Sequence, residues 1–137
     1  MRVVLDTCIL FSALHSSSGA SHRILSRLGS KLYVPAISAP VFFEYEDVLS
    51  RPGQFHGITK RDIDDFLDFF ASEAEHYKVN YLWRPFLPDP DDDLFLELAV
   101  ASHSAGIVTY NTKHFAGTER FGVRVIKPKD FIKEAKL

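Results

Sequence analysis

Apolar residues fall along this chain in two alternating rhythms: short unbroken runs, and longer stretches where they recur every third or fourth position. The first rhythm marks strands buried on both faces, and the second marks helices with one apolar side. Val3-Val4-Leu5, bounded by Arg2 and Asp6, predicts the first strand. A helix is expected to begin over residues 10–14, before the loop Ser16-Ser17-Ser18-Gly19. A second helix, capped by Ser18 or Ser21, is expected to run to about Leu28. Residues 31–34 read as a short strand that Pro35 stops. Ser38, with Pro40 in the first turn, then caps a helix with the apolar face Val41, Phe42, Tyr45, Val48 and Leu49.

Pro52 and Gly53 mark a loop over 51–57, and Thr59 opens a strong helical pattern, Ile63, Phe66, Leu67 and Phe70, through about His76. Residues 79–83 read as a weak strand, and Pro85, Pro88 and Pro90 exclude regular helix up to the acidic run that follows. Asp91 or Asp92 is expected to cap a helix that reaches Ser104 and stops at Ala105-Gly106. Ile107-Val108-Thr109 and residues 123–126 supply two more strands, and a helix over 127–135 with Pro128 at its start closes the chain. Strands alternating with helices predict the α/β class, as a three-layer α/β/α sandwich around a central parallel sheet. Such sheets gather their sites at the carboxyl ends of the strands. Asp6 and Asn111 both fall there.

A chain of 137 residues is expected to form one domain, 1–137, with a real core. Its 46% hydrophobic and 25% charged residues suit a soluble globular protein. No apolar run approaches the ~20 residues of a membrane span. Asp6 breaks the first apolar stretch and no small-residue cleavage site follows, which argues against a secretory leader. A single cysteine, Cys8, excludes an internal disulfide and fits a reducing cytoplasm. The net charge of −2 hides an uneven distribution. Residues 44–97 hold 14 acidic and 5 basic side chains, a balance of −9, whereas residues 113–137 hold 7 basic and 3 acidic, a balance of +4. That asymmetry suits a cation site beside a phosphate-attracting rim, although solvated helix faces are its commoner cause.

Acidic residues recur at three separated places: Asp6, Glu44 and the run Asp89-Pro90-Asp91-Asp92-Asp93. Bare carboxylates repel a phosphodiester, but they become useful when they hold Mg²⁺ or Mn²⁺, hard cations that prefer oxygen ligands. A metal so held activates water and stabilises charge on phosphate. Asp6 offers a ligand at a strand end, Glu44 lies on a helix face that can point back to it, and Asp93 sits in the first turn of another helix. Glu97, one turn on, shares a face with Asp93. Each has a structural alternative: a turn hydrogen bond for Asp6, solvent exposure for Glu44 and Glu97, and helix N-terminal electrostatics for one or two of the acids at 91–93. The chain lacks a phosphate-binding glycine loop, a dinucleotide fingerprint and a nucleophile elbow. Its six histidines show no i, i+4 ligand spacing, which argues against zinc. Cys8 reads better as a small buried thiol than as a nucleophile.

Four stretches carry a resemblance. They are Val3 to Leu14, Ser38 to Glu44, Asp89 to Ala99, and Val108-Thr109-Tyr110-Asn111-Thr112-Lys113-His114-Phe115. In this order they resemble the PIN-domain family of metal-dependent ribonucleases, and in particular the PIN toxins of toxin-antitoxin systems. The resemblance implies a cytoplasmic endoribonuclease that cuts single-stranded RNA with an acidic Mg²⁺ or Mn²⁺ site. Asp6, Glu44 and Asp93 match the family's first three acidic positions, with Asp92 as an alternative one residue away. Thr7 matches a small hydroxyl residue that lines the site. Asn111 stands where many relatives carry Asp, which removes a negative charge and favours one cation over two. Thr109 and Asn111 would orient a metal-bound water or the scissile phosphate.

Lys113, His114 and Arg120 are the nearest candidates for a positive RNA rim, with ordinary surface charge as the alternative. Phe55, Phe69, Phe70, Tyr77, Tyr81, Trp83 and Phe86 make the middle unusually aromatic. Most are expected in the core, and the resemblance assigns any surplus to a homodimer or higher homo-oligomer interface or to a groove for an antitoxin. A second reading is a PIN-like RNA- or protein-binding module with weakened catalysis, which Asn111 permits. Asp6, Thr109 and Lys113 also echo a phosphoacceptor receiver, but the paired acids at the first strand are missing. A haloacid-dehalogenase-type phosphatase needs an Asp where Cys8 stands.

Overall fold

The computed structural model describes residues 1–80 and 86–137. Five strands form one parallel sheet: β1 (Arg2–Leu5), β2 (Val34–Ile37), β3 (Glu75–His76), β4 (Gly106–Val108) and β5 (Arg124–Ile126). Their order in space is β3-β2-β1-β4-β5, so the chain first winds outward from β1 in one direction and then in the other. Six helices accompany them: α1 (Thr7–His15), α2 (Ala20–Ser26), α3 (Ala39–Leu49), α4 (Lys60–Glu73), α5 (Asp93–Ala101) and α6 (Pro128–Ala135). Val3, Val4 and Leu5 are all fully buried. Because successive strand side chains point to opposite faces, both faces of the centre are covered. This is the expected α/β sandwich.

The reversal of strand order falls between β1 and β4. Open parallel sheets hold their ligands at such a switch point, beyond the carboxyl ends of the two strands. The register sets Val3 beside Gly106, Val4 beside Ile107 and Leu5 beside Val108, so Asp6 and Thr109 leave the sheet together. Gly106, at the start of β4, lets β5 pack closely against it. A Cβ there would stand 2.6 Å from the Arg124 carbonyl oxygen and 2.9 Å from the Ile126 side chain, a clash no larger residue escapes.

Local chemistry explains most of the element ends. Ser38 Oγ accepts the Val41 amide and caps α3 with Pro40 in its first turn, while Thr59 and Asp62 form a reciprocal capping box on α4. Pro35 does not stop β2 as expected but lies inside it, opposite Val3. Val34 donates toward the β1 side, to Met1 O at 2.9 Å, so the missing Pro35 donor belongs on the β3 side. There β3 reaches only Ala36 and Ile37, and the proline costs no ladder bond. The outer strand on that side is β3 at 75–76, ahead of the stretch 79–83 expected as a strand. Val79 and Asn80 are not strand, and residues 81–83 lie outside the described ones, as does Pro85. α4 accordingly ends at Glu73 instead of His76, and α5 ends at Ala101, where Ser102 Oγ turns back to Leu98 O at 2.7 Å. α2 starts after Gly19 with no side-chain cap from either serine. No described helix is long and apolar enough to cross a membrane.

Candidate active site at the carboxyl ends of β1 and β4

Asp6 occupies the residue between β1 and α1, where an aspartate ordinarily caps the helix through its carboxylate. Here it makes no cap bond. Its Oδ2 instead accepts the Thr109 hydroxyl at 2.7 Å and the Cys8 thiol at 3.3 Å. Its backbone amide donates to Val108 O at 3.0 Å. Thr109 is fully buried, and its Oγ1 also accepts the Asn111 amide at 2.9 Å. One hydroxyl therefore fixes both the first acid and the start of the loop after β4.

Glu44 arrives from α3. The next residue, Tyr45, is fully buried and donates its hydroxyl to Leu5 O at 2.5 Å, which ties that turn of α3 to the end of β1. Asp92 arrives from the other side, in the 3-10 turn Pro90–Asp92 before α5. Asp89 caps that turn by accepting the Asp91 amide at 3.0 Å, so the Asp92 carboxylate is not used for capping. Asp6, Thr7, Cys8, Glu44, Asp92 and Asn111 line one cleft of about 320 Å³, with Phe11, Val48 and Phe95 as its apolar walls. A larger hollow of about 550 Å³ lies against β5 and α6, but its Arg124 is already held by Glu134 at 2.6 and 3.0 Å.

The expected order of Asp93 and Asp92 is reversed in space. Asp93 is 1% exposed and does not line the cleft. Its two carboxylate oxygens accept the amides of Phe86, at 3.0 Å, and Leu87, at 2.8 Å. Asp92 lines the cleft in its place, with a side chain 17% exposed. Glu97 is buried on α5 rather than on the surface, and it is not among the residues lining the cleft.

The acids are crowded, and nearby cations offset that only in part. Burial, then Asp6 and Asp89, push the Asp92 carboxyl up to about 6, against a smaller opposing pull from His114. His114 Nδ1 stands 3.7 Å from Asp92 Oδ2, within ion-pair range but beyond a hydrogen bond. Glu44 is likewise raised, by partial burial first and then by Asp47 and Asp91, with Asp6 contributing. Burial and the Asp6 charge push the Cys8 thiol up to about 11. It is an acid-side hydrogen-bond donor here, not a nucleophile.

The donor set tests well against a hard divalent cation in chemistry, being all oxygen: three carboxylates and an amide. Asp92 Oδ2 and Thr7 Oγ1 are buried with no hydrogen-bond partner, which leaves acceptor capacity unused. Among the described residues, however, no three His, Cys, Asp or Glu groups stand close enough to hold a metal ion as they are. The carboxylates would have to draw together around a cation.

Sequence reading missed the link from Tyr45 to the β1 carbonyl and the Cys8 thiol contact, because neither side chain belongs to an acidic motif. Of the aromatic residues, Phe70 is core, Phe55, Tyr77 and Phe86 are half-buried, and Phe69 is 50% exposed. Tyr81 and Trp83 lie outside the described residues. Lys113, His114 and Arg120 are all exposed, and only His114 has a recorded ion-pair contact with a cleft residue.

A PIN-domain profile matches residues 2–113, and the chain belongs to that family. No curated protein sequence matches it. In fold it is similar to the crystal structure of VapBC2 from Rickettsia felis bound to a DNA fragment from their promoter. That likeness has a TM-score of 0.64 at 20% identity and covers 93% of this chain and 98% of that one.

Proposed function

We propose that this PIN domain is a Mg²⁺- or Mn²⁺-dependent endoribonuclease, the toxin component of a toxin-antitoxin pair acting in the cytoplasm. The observation that carries the reading is the convergence of Asp6, Glu44, Asp92 and Asn111 on one cleft at the sheet's switch point. Asp6 and Asp92 are the residues to hold the cation, with Glu44 direct or through water and Asp93 anchoring the segment that presents Asp92. When bound, such a cation supplies an activated water and charge stabilisation for phosphodiester hydrolysis. Thr109 holds Asp6 Oδ2 in place, while the neutral Asn111 amide can donate to water or a phosphate oxygen and accept from water. With Asn111 in the fourth position, three carboxylates favour one cation over two.

The partner assignment rests on the solved relative's being a VapBC2 assembly and on apolar surface at hand. Phe43 on α3 and Phe69 on α4 are 62% and 50% exposed, which suits contact with an antitoxin or a second copy of the chain. The direct test is cleavage of single-stranded RNA by purified protein with Mg²⁺ or Mn²⁺ and with chelator. Cleavage that needs the metal and disappears in Asp6→Asn, while the fold survives, supports the reading; equal cleavage by that variant overturns it. The alternative, a PIN-like binding module with weakened catalysis, is favoured by the wide spacing of the acids and by Asn111. It predicts RNA binding with neither cleavage nor metal uptake.

A further inference from the structure

An acidic cleft repels the polyanion it is proposed to cut, so attraction must come from its surroundings. Thr109 donates its amide to Ile126 O at 3.0 Å, which brings the residues after β4 and β5 out of the sheet side by side. Tyr110 follows Thr109, and Lys127 follows Ile126. Together with Lys129, Asp130, Pro128 and Ala20 they surround a second hollow of about 430 Å³. That volume is within the about 300–1,000 Å³ common for small-ligand sites.

Three features of this hollow point to a nucleotide. Tyr110 is 47% exposed, an aromatic face left open to solvent between the fully buried Thr109 and the cleft residue Asn111. Lys127 and Lys129 are exposed and form no ion pair among the described residues, and they outnumber the single carboxylate of Asp130. The remaining wall, from Pro128 and Ala20, is carbon, as a base plane prefers. Single-stranded nucleic acid is held by this combination of aromatic platform and cationic groove.

Resting on the ribonuclease reading, we infer that the Tyr110–Lys127–Lys129 hollow is a subsite for the nucleotide next to the scissile phosphate, with its base stacked on Tyr110 and its phosphate held by the two lysines. Asn111, the next residue along the chain, joins this subsite to the acidic cleft. Asp130 faces the same hollow and suits an exocyclic amino group better than a phosphate.

The test uses full-length protein carrying Asp6→Asn, with Mg²⁺ and a fluorescent single-stranded RNA, read by anisotropy. Tyr110→Ala is expected to weaken binding about tenfold, and Tyr110→Phe to restore it, since stacking needs only the ring. The double variant Lys127→Ala/Lys129→Ala is expected to reduce the slope of log affinity against log salt by about 1.4. Thermal melts check that these exposed substitutions leave the fold intact. Unchanged affinity in Tyr110→Ala, while wild-type protein still cleaves RNA, overturns the subsite alone. Absence of both RNA binding and cleavage in every form overturns the subsite together with the ribonuclease reading.

Discussion

Asp92 and Asp93 are chain neighbours with the same side chain, yet their surroundings are opposite. Asp93 is buried with both oxygens met by backbone amides, a carboxylate fully employed in holding the chain. Asp92 is partly open, has a buried oxygen with no hydrogen-bond partner, and sits among other acids that raise its proton affinity. Structure built for stability satisfies its polar groups, and structure held ready for a ligand leaves them wanting. The difference separates an anchor from a candidate ligand within a single peptide step.

Three substitutions bear on that contrast. In an RNA-cleavage assay, Asp92→Asn is expected to lower turnover at least about 1,000-fold, close to 4 kcal/mol, by removing a ligand charge. Similar turnover in Asp92→Asn and wild type would break the comparison. Asp93→Ala is expected to cost about 2–4 kcal/mol in urea unfolding, because two amides lose a charged acceptor. Its loss of activity should then be recovered in part below the shifted melting temperature.

Metal-free stability supplies the third measure. Burial and the neighbouring acids push the Asp92 carboxyl up to about 6 in the folded protein, from the ordinary value of 3.8 in the unfolded chain. Between those values the native state binds more protons than the unfolded state, so stability from this group falls as pH rises and is lost above about pH 6. Melting curves in chelator should therefore show Asp92→Asn more stable than wild type by about 1–2 kcal/mol at pH 7, with the gap closing toward pH 4. Added Mg²⁺ should reverse the order by stabilising only the wild type. The smallest effect is expected from Asn111→Asp, where the restored charge should tighten divalent binding about fivefold, close to 1 kcal/mol, by calorimetry.

The sequence made the sheet legible because β-branched runs such as Val3-Val4-Leu5 and the cap residues Ser38 and Thr59 act locally. It did not reveal β3 because two exposed residues, Glu75 and His76, carry no apolar signature and become strand only by pairing with Ala36 and Ile37. It misread Pro35 because the harm done by a proline depends on which neighbour its missing donor would face. At the candidate site, Asp6 and Asn111 are marked by lying just beyond strands and Glu44 by its helix face, and all three line one cleft. The choice between Asp92 and Asp93 was not legible, since it turns on amides at Phe86 and Leu87 and on a short 3-10 turn that shifts the helix start by one residue.

The Thr109–Asp6 hydrogen bond joins residues separated by 103 positions. During synthesis Asp6 is made well before its companion, which follows only 103 residues later. Until then β1 lacks its β4 neighbour, and the cleft has neither Thr109 nor Asn111 to complete it. For a protein proposed to destroy RNA, that ordering is protective: the molecule is born beside the substrate it would cut, and it is disarmed there by incompleteness.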